Sequence, residues 1–189
     1  MIDVTFTFLK NQLKAYFKLK KNADTKVHIS NLTDNSGKTI AKELTLTLVN
    51  INEENLLRNQ NPYKETEDGN YARINPEINL NLYCLITSNF GDKETDYEES
   101  LKFLSLAATF FQVRNVFTHK NTPDLDSRIK QLIIELQNPT FEEQNNLWSF
   151  TGTSYLPSLL YKIKMVTLQE EETIMEAPPI TEANLNERT

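Results

Sequence analysis

The sequence predicts an α/β protein of the α+β type: a single domain with a mixed or antiparallel sheet, packed by two main helices and followed by an extended C-terminal arm. Three observations lead there. Segments 2–21 and 94–113 repeat apolar residues at helical spacing, and segments near 26–30, 43–52, 72–88 and 159–169 carry apolar residues with the alternation of strands. The third is an abrupt change in composition after residue 169, which divides the 189 residues into a domain, 1–169, and an acidic arm, 170–189. A domain of this length buries roughly 70% of the surface its unfolded chain exposes, enough for one well-filled core.

In the first helix Ile2, Phe6, Leu9, Leu13 and Phe17 are spaced four, three, four and four apart and form one stripe. Lys10, Lys14 and Lys18 form a basic stripe beside it, either a solvated face or a contact for an acidic partner surface. Turn residues Asp34, Asn35, Ser36 and Gly37 precede a strand in which Leu44, Leu46 and Leu48 alternate with Thr45, Thr47 and Val49. An Asp68-Gly69 turn leads to the long strand 72–88, with Ile78, Leu80, Leu82, Cys84 and Ile86 on one face and Asn79, Asn81 and Tyr83 on the other. Polar residues at period two imply that at least half of this second face meets water or a polar partner.

The second helix gathers acidic residues at its start, where the helix dipole favours them. Leu101, Phe103, Leu104, Ala107, Ala108, Phe110 and Phe111 spread around most of its cylinder, which predicts the most buried helix of the fold. KQLIIEL, 130–136, is a short buried strand or helix that periodicity leaves open. Thr140-Phe141-Glu142-Glu143 matches a capping box, so a short helix carries Leu147 and Trp148 into the core and Gly152 ends the passage. In the last strand Tyr161, Ile163, Met165 and Thr167 alternate with Lys162, Lys164, Val166 and Leu168.

The inventory for catalysis is thin. The four glycines stand alone, so neither a phosphate-cradling loop nor a dinucleotide-binding turn is present as a sequence pattern. His28 and His119 have no second His or Cys at metal-ligand spacing, and no Ser lies in a nucleophile elbow. Asp124-Leu125-Asp126 lacks the glycine and terminal Glu of a calcium loop and reads as turn or capping chemistry. The acids Asp92, Glu94, Asp96, Glu98 and Glu99 are accounted for by the helix start. Cys84 sits within an apolar strand as a core thiol, and the Asn31-Leu32-Thr33 sequon carries weight only in a secreted chain. No catalytic residue, metal or cofactor is assigned.

A net charge of −6 disfavours a nucleic-acid partner, because phosphate affinity comes mainly from Lys and Arg. The N-terminus has no leader pattern, and no run of 18 uncharged apolar residues occurs, so synthesis and assembly in the cytoplasm, with no membrane partner, is the expectation. Residues 170–189 hold six Glu against one Arg, a net −5 that leaves −1 for residues 1–169. Around Glu170, Glu171 and Glu172 the arm also carries Ile174, Met175, Pro178, Pro179 and Ile180. It reads either as a solvating coil or as an arm that orders against a neighbouring subunit or another protein.

INPEINLNLYCLITSNF, SLKFLSLAATFFQ, FEEQNNLWSFTGTSYLPSLLYKIKMVTLQ and the closing APPI, in that order, resemble the cap or tail-terminator proteins of extracellular contractile injection systems of the antifeeding-prophage type. That resemblance covers nearly the whole chain. It implies a structural protein with no enzymatic activity: a hexameric ring on the end of the inner tube distal to the baseplate. Such a ring ends polymerisation of tube and sheath and ties the two together, in a particle either released or anchored. Some members carry a further C-terminal domain, whose functions are not transferred to these residues. Another component of the same machine, a sheath, tube or baseplate subunit, is the second reading, and an enzyme of unknown type the third. A ring needs two complementary patches on each subunit, and the basic stripe with the acidic arm supplies one such pair. Tyr155, Pro157, Tyr161, Lys162 and Lys164 become interface candidates on the same ground. Tyr161 shares the face of Ile163 and Met165 and so reads equally as core, and Lys162 and Lys164 read equally as plain solvent-exposed residues.

Overall fold

The computed structural model describes residues 1–21, 26–54, 63–65, 71–74, 78–168 and 173–177. In chain order the elements are α1 (Ile2–Lys21), β1 (Val27–Ile29), β2 (Glu43–Glu53), β3 (Tyr63–Glu65), β4 (Tyr71–Ile74), β5 (Ile78–Asn89), α2 (Glu94–Val113), β6 (Val116–Thr118), β7 (Gln131–Gln137), α3 (Phe141–Thr151), β8 (Ser158–Leu168) and β9 (Thr173–Ala177). Six strands form one mixed sheet in the order β1-β2-β5-β8-β7-β6, with β1 parallel to β2 and the other pairs antiparallel. The remaining three form a small antiparallel sheet, β3-β4-β9.

The period-3.6 stripe of α1 lies where its spacing puts it: Phe6, Leu9, Leu13 and Phe17 are buried. They pack with Phe103, Ala107, Phe110 and Phe111 of α2 over Leu44, Leu46, Cys84, Ile86, Tyr161 and Ile163 of the sheet, forming the main core. Phe17 meets Phe103 edge-on at 5.3 Å, and Phe8 meets Phe117 likewise at 5.3 Å. Such T-shaped pairs add about 0.5–1.5 kcal/mol beyond the area they bury. The expectation that α2 is apolar around most of its cylinder is corrected: Leu101 is exposed, and the six buried residues of α2 equal the six of α1. Each helix has one side on the sheet and the other in solvent, so neither exceeds the other.

KQLIIEL resolves as strand β7, with Leu132 and Ile134 turned into the main core. The predicted 72–88 strand is two strands, β4 and β5, and the Asp68-Gly69 turn lies outside the described residues. Ile78 faces Leu168 in the large sheet and Ile74 faces Thr173 in the small one. The two pairings belong to separate sheets.

The second face of β5 meets a polar partner, one of the two surroundings its alternation implies. Asn79 and Asn81 are buried rather than wetted. Glu54 supplies the partner: its carboxylate accepts from Asn81 Nδ2 at 3.0 Å and its N–H donates to the Asn79 carbonyl at 2.7 Å. Further along that face Leu32, Ala41, Leu85 and Trp148 form a second, smaller core, which α3 and the 31–41 loop close. Three layers result, with α1 and α2 on one side of the sheet and α3 on the other.

The capping box of α3 is formed. Glu143 N–H donates to Thr140 Oγ1 at 3.2 Å, Thr140 N–H donates to Glu143 Oε2 at 2.8 Å, and Gly152 closes the helix in the left-handed region at φ 67°. Thr140→Ala should therefore lower the unfolding free energy by about 1 kcal/mol, read as a lower urea midpoint at unchanged slope.

Candidate functional site

The interface candidates separate once placed on the fold. Lys10 is half-buried, whereas Lys14 and Lys18 are exposed on α1. Lys18, Lys20 and Lys21 make the last turn basic, the arrangement the dipole favours at a helix C-terminus. Tyr155 is exposed and sets its ring edge-on to Trp148 at 5.4 Å. Pro157 is half-buried, and its carbonyl accepts the Ser88 N–H at 3.1 Å. Ile174 and Met175 lie in β9, where Met175 pairs in register with Arg73. Glu170, Glu171, Glu172, Pro178, Pro179 and Ile180 lie outside the described residues.

Tyr161 belongs to the core: it is 3% exposed, with its ring 4.8 Å from that of Phe111. Burial, with a smaller contribution from neighbouring Cys84, pushes its phenol up to about 12 from an ordinary value of 10. Because the folded value lies above the unfolded one, this stabilisation is complete below pH 10 and is lost as pH rises toward 12. Alkaline titration of tyrosinate absorbance should show one late-ionising tyrosine that Tyr161→Phe removes. The same burial pushes the Cys84 thiol up strongly, which keeps it unreactive.

Lys162 and Lys164 stand on the opposite face of β8. Lys164 Nζ pairs with Glu135 Oε1 of β7 at 2.6 Å. Lys162 Nζ instead lies over the Tyr83 ring of β5, 6.0 Å from its centroid. This part of the second face is not covered by α3, and between them runs a groove of about 640 Å³. Val49, Leu147, Phe150 and Leu160 give it an apolar lining. Asn50, Tyr83, Gln137 and Asn138 supply its polar groups, and the carboxylate that lines it, Glu143, is turned to the Thr140 backbone by the capping box. Phe150 is 80% exposed at the edge of this groove.

The groove joins residues from five separate parts of the chain, which is why reading along the sequence does not find it. One signal was available: Phe150 follows Trp148 by two positions, about 200° around a helix, so it cannot share the inward stripe.

His28 is half-buried and His119 exposed. Asp126 forms a bidentate pair with Arg128, both contacts 2.9 Å, and also accepts the Arg128 N–H at 3.0 Å, so the Asp124-Leu125-Asp126 segment is a turn. Among the described residues no three His, Cys, Asp or Glu side chains converge as metal ligands, and no helix is long and apolar enough to cross a membrane.

Several solved chains share this fold, two of them from contractile injection particles. One is the sheath/tube terminator of the extracellular contractile injection system PVC in its extended state, 15% identical, with a TM-score of 0.62 over 100% of this chain and 63% of the other. The second is the tube terminating cap of the anti-feeding prophage, 15% identical, with a TM-score of 0.65 over 97% of this chain and 60% of the other. The chain thus spans about three-fifths of the length of these structures. No protein with a curated description matches it. Residues 5–182 match one family along almost the full sequence, and the protein belongs to the Pvc16 N-terminal domain family.

Proposed function

We propose that the protein is a terminator cap of a contractile injection particle. It forms a ring, hexameric in this reading, at the inner-tube end distal to the baseplate, stops the growth of tube and sheath, and ties the two together. One observation carries the proposal: the fold agrees, across essentially the whole chain, with a sheath/tube terminator and a tube terminating cap. The character of the surface supports it. The groove beside α3 has an apolar lining, neutral amides and a carboxylate already engaged in a helix cap, which suits a polypeptide contact better than bond-making chemistry. A net charge of −6 suits protein partners rather than nucleic acid.

The partners in this reading are a second copy of the chain, the last ring of inner-tube subunits and the last layer of sheath. Assembly takes place in the cytoplasm, and the chain leaves or stays with the particle. A sheath, tube or baseplate subunit is the competing structural role. Such a subunit would polymerise open-ended or remain at the baseplate, whereas a terminator closes a ring at the far end. Electron microscopy of particles from producing cells lacking the chain separates the two. Tubes of uncontrolled length, stripped of sheath, are expected; normal length with retained sheath would overturn the terminator role.

A further inference from the structure

We propose that the groove between α3 and the open face of the sheet is the docking site for the segment Pro178-Pro179-Ile180-Thr181-Glu182 of a neighbouring copy of this chain. The proposal rests on the ring reading and names the contact that would close the ring. The groove and the segment match in three respects. First, Pro178 and Pro179 have no N–H to leave unpaired and offer only carbonyls. The groove presents amide donors: Asn50 commits its Oδ1 to the Ile51 N–H at 2.9 Å, which leaves Nδ2 to donate, and Asn138 lines the groove at its β7 end. Secondly, Pro-rich segments dock on aromatic and apolar walls, and Phe150, 80% exposed, forms a wall with Leu147, Leu160 and Tyr83. Ile180 fills the apolar slot. Thirdly, Glu182 carries a charge that Lys162, poised over Tyr83 at the rim, complements.

The strand order points to a neighbour rather than to the same chain. From Leu160 in the groove, β8 runs eight residues outward to Leu168, and β9 ends at Ala177 in the separate small sheet, paired with β4. At about 3.3 Å per residue Leu168 already lies on the order of 26 Å from Leu160, while Pro178 to Ile180 reach at most about 11 Å beyond Ala177. A second copy, offset around a ring, supplies the segment head to tail, as a heterologous closed interface requires.

Cysteine cross-linking in the full chain tests this. Ile180→Cys and Phe150→Cys are made separately, mixed and oxidised mildly; Cys84 is buried and does not compete. A covalent dimer is expected at a yield at least about fivefold above a control pairing Ile180→Cys with Leu19→Cys, which is 82% exposed on α1. Adding Lys162→Glu to the Phe150→Cys chain should reduce the yield. Dimer no more abundant than the control overturns the proposal. Cross-linked monomer alone from the double-cysteine chain also overturns it, since the segment would then occupy its own groove. Because the measurement needs neither tube nor sheath, a cross-link with normal particle ends in cells lacking the chain would refute the terminator role while leaving the contact in place. Abnormal particle ends without a cross-link would do the reverse.

Discussion

Removing residues 170–189 is expected to abolish ring closure and, with it, the retention of sheath on the particle. Two losses combine. The truncation takes away β9, leaving β3 and β4 as a two-stranded ribbon, a unit that is marginal in water. The Tyr71–Ile74 edge that β9 covers becomes a free row of backbone donors and acceptors, open to pairing with another molecule. It also removes five of the six net negative charges and the segment proposed for the neighbouring groove. A second truncation separates these effects. Stopping after Ala177 keeps the β4–β9 ladder, so melting and circular dichroism should match the full chain, while ring association weakens by about tenfold or more, about 1.4 kcal/mol per contact. Gel filtration and native mass spectrometry read the ring; electron microscopy reads the particle. Full-length behaviour from the 170–189 truncation, in ring and particle alike, would remove the arm from any account of assembly.

That contrast changes how the arm is understood. The sequence reads the arm as a solvating coil or as one that orders against another molecule, whereas its first part adds a strand to β4 of the same chain. Thr173–Ala177 completes its own small sheet, and what remains for a neighbour begins at Pro178.

Both long helices were legible at their observed bounds because twenty residues give a 3.6 period several turns to repeat. The α3 start was legible because a capping box is local chemistry. Strands β3 and β6, of three residues each, are too short to show an alternation. The carboxylate that Asn81 meets belongs to Glu54, which lies twenty-seven residues before it and is brought there through the fold alone. The groove fails to appear in the sequence for the same reason. Val49, Tyr83, Leu147 and Leu160 are ordinary strand and helix residues until the order β2-β5-β8 and the position of α3 bring them to one surface.

The other large effect is expected from charge reversal on β8, and there the two lysines are not equivalent. Lys164→Glu sets a carboxylate against Glu135, whose partner now lies 2.6 Å away. The pair is partly exposed, at 30% and 41%, so the loss of attraction and the new cross-strand repulsion together cost about 1 kcal/mol, screened by salt. A defect in assembly from that variant alone would confuse fold with contact. Lys162→Glu is the cleaner probe. Its ammonium forgoes a contact with the Tyr83 ring worth about 0.5–1 kcal/mol, and the new carboxylate stands across from Glu135 of β7, a repulsion that salt also screens; a defect larger than this falls on the acidic surface that meets the groove rim. The single Lys162→Glu variant should therefore unfold within about 1 kcal/mol of the parent yet assemble poorly, and its defect should shrink as salt screens the repulsion. A double reversal should depart from the sum of both effects, since Lys164 pairs with Glu135 and Lys162 faces it in register, so the two share one neighbour. Normal rings, tube length and sheath retention from Lys162→Glu at low salt would mean that the open half of the sheet faces solvent in the assembled particle, and the contact surface would then have to be sought on α1 beside Lys14 and Lys18.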